Sequence, residues 1–116
     1  MTLAKTPEKP VYVRIREEIG NAILVGQYGD GDALPSVRVL AGEMGANPLT
    51  VAKAYQGFQD DGLVTVKRGV GMFVAKGARD RLRAGERERF LKKEWPEIRD
   101  RMDRLGIDAD DLLTGA

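Results

Sequence analysis

The 116-residue chain contains neither cysteine nor histidine. Without thiols there is no disulfide frame and no thiolate chemistry, and without imidazole the commonest general base and metal ligand are missing. Most hydrolytic and zinc-dependent mechanisms are thereby set aside, and no cofactor is implied. Long apolar runs are absent too. The longest purely aliphatic run, Ala22 to Val25, falls far short of the ~20 residues a membrane span needs. Met1 to Lys9 offers no apolar stretch for a signal peptide, so a soluble cytoplasmic protein without membrane partners is expected. Charge of one sign is also lacking: 19 Lys and Arg stand against 18 Asp and Glu, a formal net charge of +1. A strongly basic composition, the simplest argument for nucleic-acid binding, is not available. Any such function must rest on where the charges lie.

What is present is pattern. The length suits one small domain with an appendage. Residues 1–9 read as a flexible tail. Tyr12, Ile15, Ile19, Ala22 and Ile23 recur at spacings of three and four, giving a helix with one apolar face. Pro10 suits its first turn and Gly26 its stop. Gly29-Asp30-Gly31-Asp32 reads as a tight loop. Ser36 can cap a short helix whose inward face is Val37, Leu40, Ala41 and Met44, ended by Gly45. Asn47 and Pro48 then supply a cap and first position for a helix through about Asp60, with Val51, Ala54, Tyr55 and Phe58 facing a core. Two short helices joined by three residues containing glycine form a helix-turn-helix signature.

After Gly62 the period changes. Leu63 to Lys67 and Met72 to Ala75 read as strands around the turn Arg68-Gly69-Val70-Gly71. A helix, a helix-turn-helix and a hairpin, in that order, make a winged helix over residues 10–76. Residues 77–116 differ: ten basic and ten acidic residues lace a solvated helix over Ala78 to Arg89 with pairs three or four apart. Leu91, Trp95, Ile98, Met102 and Leu105 then form a short heptad seam. Pro96 predicts a kink or break, with Trp95 biased away from helical angles. Gly106 ends that helix, and Asp108 caps a last turn through Leu112 and Leu113. The expected fold is mainly α with a small β-hairpin: a winged helix-turn-helix domain followed by a short helical dimerisation region.

A helix-turn-helix sets its second helix in the major groove, where N-terminal side chains reach base edges. Asn47, Leu49, Thr50 and Lys53 are the exposed candidates, and Ser36 and Arg38 would lie against the phosphate backbone. Lys67 and Arg68 sit beside Gly69 and Gly71, whose missing side chains permit a close backbone approach to DNA. Residues 10–76 carry seven basic and seven acidic residues, so attraction to DNA must be local. Plainer roles compete: Arg38 could pair with Glu43, Asn47 could serve as a cap alone, and the wing glycines could be no more than a turn. Gly69-x-Gly71 lacks the Gly-Lys-Ser/Thr ending of a phosphate loop. Asp108, Asp110 and Asp111 suit helix capping better than a cation site. The apolar seam could be an internal core, but a winged helix closes without it, which favours a homodimer interface.

Several stretches resemble a known family. Leu34-Pro35-Ser36-Val37-Arg38, Asn47-Pro48-Leu49-Thr50-Val51-Ala52-Lys53-Ala54-Tyr55, Gly62-Leu63-Val64 and Arg68-Gly69-Val70-Gly71-Met72-Phe73-Val74 are similar to the winged-helix domain of GntR-type bacterial transcription regulators. The second of these, with the short C-terminal region, resembles the YtrA-like subfamily, whose members dimerise through a small helical appendage. The resemblance covers residues 10–76 closely and the remainder in architecture. It implies that Arg38, Thr50, Arg68 and Gly69 contact double-stranded DNA, with Ser36, Asn47 and Lys53 nearby. Two positions depart from the family pattern: Asp30 stands where many members have proline, and Pro48 where other branches place a base-reading arginine. The expected function is a homodimeric repressor on a pseudo-palindromic operator, with no particular effector implied. The alternative is a dimeric interaction adaptor that binds DNA without sequence preference. An enzyme ranks behind both, since no stretch presents a catalytic pair in place of the missing His and Cys.

Overall fold

The structure is a computed structural model that describes residues 9–115. Of the expected tail at residues 1–9, all but Lys9 lies outside the described residues. Lys9 is exposed and pairs with Glu17 at 2.7 Å. The chain divides into two compact units, with the division between Leu82 and Arg83. No helix among the described residues is long and apolar enough to cross a membrane.

The first unit holds three helices and a hairpin: α1 (Val11–Leu24), α2 (Val37–Met44), α3 (Pro48–Asp60), β1 (Val64–Lys67), β2 (Gly71–Val74) and the start of α4 (Ala78–Arg89). Pro10 stands just before α1 as its cap, and its carbonyl accepts from the Arg14 amide at 3.1 Å. Ile15, Ile19 and Ile23 of α1 meet Leu40 and Ala41 of α2 and Val51, Ala54, Tyr55 and Phe58 of α3 in one buried cluster. Helical spacing alone places each of these inward. β1 starts one residue later than expected and β2 lies one residue earlier, and they pair antiparallel with Val64 opposite Val74 and Lys67 opposite Gly71.

The loop after α1 does more than turn. The amides of Gly31 and Leu34 donate to the carbonyls of Val74 and Met72, Val74 donates back to Asp32, and Ala33 bridges Phe73. A short extended segment is thus laid along β2, bridged to it at Ala33. It carries Leu34 into the core and delivers Pro35 and Ser36 to the start of α2.

Four hydrogen bonds fix the first turns of α4. The Asp30 carboxylate accepts from the Gly77 amide at 3.1 Å, Arg79 donates to the carbonyl of Leu24 at the end of α1, and Arg81 donates to the carbonyls of Gly62 and Lys76. Ala78 is buried, and Leu82 packs against the core. Asp30, the departure from the family pattern, therefore has a structural task.

The regular structure of the second unit is all helical. The rest of α4 runs into a π-helical turn, Phe90–Glu94, then α5 (Trp95–Leu105) and α6 (Ala109–Leu113). The expected break at Pro96 does not occur, and Trp95 keeps helical angles, φ −60° and ψ −45°. Its amide donates to the carbonyl of Phe90, five residues back. The wider turn gives the proline ring room against the preceding turn of backbone, so the helix need not end. Gly106 closes α5 at φ +68°, a conformation that favours glycine. Asp108 and Asp111 cap α6 reciprocally, each carboxylate accepting the other's amide.

Candidate nucleic-acid interface

The helix-turn-helix is set by local chemistry. Ser36 Oγ accepts from the Val39 amide at 3.1 Å, which starts α2. Gly45 ends it at φ +59°, where a side chain would be unfavourable. Asn47 Oδ1 then accepts from the Leu49 amide at 2.8 Å, and Pro48 opens α3. The Tyr55 hydroxyl, inside α3, donates to the carbonyl of Pro35 at 2.6 Å, joining α3 to the segment that launches α2. Burial, then Tyr28 and Glu43, pushes the pKa of this phenol well above its ordinary value.

Around this frame the predicted site residues are exposed, apart from half-buried Thr50. Arg38 lies in the first turn of α2, beside amides that precede any intrahelical acceptor. Among the described residues it forms no ion pair, so the alternative pairing with Glu43 is not made. Lys53 rests its ammonium 5.3 Å from the centre of the Tyr12 ring, and Lys67 lies 4.7 Å from that of Phe73. Both cations are thereby steered by a ring face, and among the described residues neither has a carboxylate partner. Asn47 is a cap through Oδ1, which leaves its side-chain amide nitrogen for other partners.

The wing is a four-residue turn in which the Val70 amide donates to the Lys67 carbonyl at 2.9 Å. Gly69 takes φ +75° at its third position, the geometry of a type II turn. Arg68, Gly69 and Val70 are exposed at its tip.

Behind α3, Arg16 of α1 pairs with Asp61 at 2.8 Å and stacks on the Phe58 ring at 5.0 Å. Burial opposes its charge, but hydrogen bonds with Asp61 and Tyr12 outweigh that and raise its pKa. Gly57 lets α1 approach here, because an added Cβ would meet Tyr12 Oη at 3.2 Å. Neither brace is legible in the sequence. A half-buried arginine on a helix carries no mark of its distant partner.

In the second unit no described side chain is buried. Leu91, Ile98 and Leu105 of the predicted seam are 47%, 42% and 62% exposed, and Trp95 and Met102 are half-buried. The π turn adds Phe90 to this row, since a residue five back now lies one turn below Trp95. The unit has an apolar stripe and no core of its own to receive it.

A capped helix-turn-helix followed by a two-stranded wing defines the winged-helix class of DNA-binding proteins. The profile of the family described as bacterial regulatory proteins, gntR family, matches residues 11–74. The chain belongs to that family and is a transcriptional regulator with a DNA-binding winged-helix domain. It is 31% identical to the uncharacterized HTH-type transcriptional regulator YhcF of Bacillus subtilis, covering 92% of this chain and 87% of that protein. It is 34% identical to the HTH-type transcriptional repressor YtrA of the same organism, covering 86% of this chain and 71% of the relative. Among solved structures, a GntR family regulator from Listeria monocytogenes superposes with a TM-score of 0.73 at 27% identity over 95% of both chains. The DNA-binding domain of AraR in complex with operator ORR3 matches 65% of this chain and 90% of that one, with a TM-score of 0.60 at 28% identity.

Proposed function

We propose that this regulator is a homodimeric repressor that binds a pseudo-palindromic operator. Residues 10–76 bind DNA and residues 77–116 dimerise. α3 enters the major groove, Thr50 and Lys53 approach the bases or their flanking phosphates, and Ser36 and Arg38 hold the phosphate backbone at the start of α2. Lys67, Arg68 and Gly69 bring the wing to the adjoining backbone, and Asn47 both caps α3 and offers its amide nitrogen to DNA. The likeness to an operator-bound domain and to a protein named a repressor supports this assignment.

The observation that carries the dimer is the coreless second unit. An apolar stripe of Leu91, Trp95, Ile98, Met102 and Leu105 with nothing in its own unit to cover it is stabilised by burial against a second copy. Two-fold symmetry then sets two recognition helices about 34–36 Å apart, or a multiple of it, along one face of the duplex. Selection from random duplexes with the purified chain tests this. An enriched inverted repeat with half-sites separated by whole helical turns is expected. Recovery of no enriched sequence contradicts it and favours the adaptor.

A further inference from the structure

We infer that Leu49 reads the C5 methyl group of a thymine in each operator half-site. The inference rests on the sequence-specific function proposed above. The buried residues Val51, Ala54, Tyr55 and Phe58 fix how α3 is turned about its axis. At 3.6 residues per turn, the face opposite that stripe carries Leu49 and, one turn on, Lys53. Leu49 is 79% exposed, at the groove-entering end of the helix.

The chemistry of this first turn excludes most other readout. Pro48 has no amide hydrogen and no polar side-chain atom. Leu49 has no side-chain polar atom, and its own amide is held by Asn47 Oδ1 at 2.8 Å. Thr50 is half-buried. Between the side-chain amide of Asn47 and half-buried Thr50, the exposed side chains of this turn are therefore apolar, and the one that projects furthest is an isobutyl group held by a capped backbone. The apolar feature that unmodified base pairs present in the major groove is the thymine methyl, and leucine against methyl removes both from water. Lys53, following on the same face, supplies the charge that keeps the helix end against the phosphates.

The experiment uses the duplex recovered by selection. Thymines in each half-site are replaced symmetrically by deoxyuridine, which deletes the methyl and keeps every hydrogen-bonding group. Binding of the wild-type chain is compared with Leu49→Ala and Leu49→Asn. At one symmetric position, wild-type affinity should fall by roughly tenfold for the two methyl groups removed. Leu49→Ala and Leu49→Asn should bind the two duplexes equally. A wild type indifferent to every replacement, an alanine variant as sensitive as wild type, or half-sites lacking thymine would overturn the inference while leaving the selected repeat as support for the dimeric reader. Selection that enriches no repeat would remove both.

Discussion

The hydroxyl of Tyr55, in the middle of α3, donates to the carbonyl of Pro35 at 2.6 Å, one residue before the cap of α2. A single hydrogen bond thus ties α3 to the point where α2 starts. The ring is also part of the core, so the hydroxyl's position is set by packing as well as by bonding.

Tyr55→Phe keeps the ring and removes that donor, leaving the Pro35 carbonyl short of its partner. Urea unfolding should show a loss of about 1–2 kcal/mol. An unchanged midpoint and slope would show that the bond contributes nothing to stability.

The raised pKa of the Tyr55 phenol makes a signed prediction. In the unfolded chain the phenol ionises near pH ~10, and in the folded chain at higher pH. The folded state holds the proton more tightly, so this contribution is complete below pH ~10 and is lost as pH rises from there through the folded value. Unfolding measured across that range should show a steeper decline for wild type than for Tyr55→Phe. Parallel curves would show that other groups govern the alkaline limb.

Arg38→Ala and Lys53→Ala should each weaken operator binding without dissociating the dimer, because neither lies in the second unit. If each side chain neutralises a phosphate, the slope of log affinity against log salt should flatten by about one for every such phosphate left unneutralised in a half-site. Gel-shift titration over a salt series measures both quantities. Wild-type affinity in both variants would refute the site assignment.

Leu91→Asp places a charge in the exposed apolar stripe and should give a monomer by sedimentation. Trp95, the sole tryptophan, lies in the same row, so its fluorescence should change as the wild-type dimer dissociates on dilution. A wild type that sediments as a monomer at every concentration would refute the interface.

The helix-turn-helix is legible in the sequence because its determinants are local. Ser36, Gly45, Asn47 and Pro48 each act within a few residues of where they stand, and apolar spacing fixes which face of α1, α2 and α3 turns inward. The extended segment beside β2 is hidden because its first residues, Gly31 and Asp32, belong to a stretch of turn composition, and its pairing with β2 spans some forty residues of sequence. Pro96 signals an interruption correctly in kind but not in form, since the π turn upstream relieves the proline's clash without ending the helix. The charge lacing of α4 is only half local. Arg89 pairs with Glu86 and, beyond the helix, Lys92 with Glu88 at the expected spacings, whereas Arg79 and Arg81 reach backbone carbonyls far away in sequence. Of the candidate site, the caps are legible; the rings that steer Lys53 and Lys67 are not, because Tyr12 and Phe73 come from other elements.

The central claim, two recognition helices fixed by one dimer, is tested most directly by changing the spacing of the selected repeat. Inserting about five base pairs, half a helical turn, moves one half-site to the opposite face of the duplex. The affinity of the wild-type chain should then fall to that for a duplex carrying a single half-site. Undiminished binding to the respaced duplex would contradict paired recognition by a symmetric dimer.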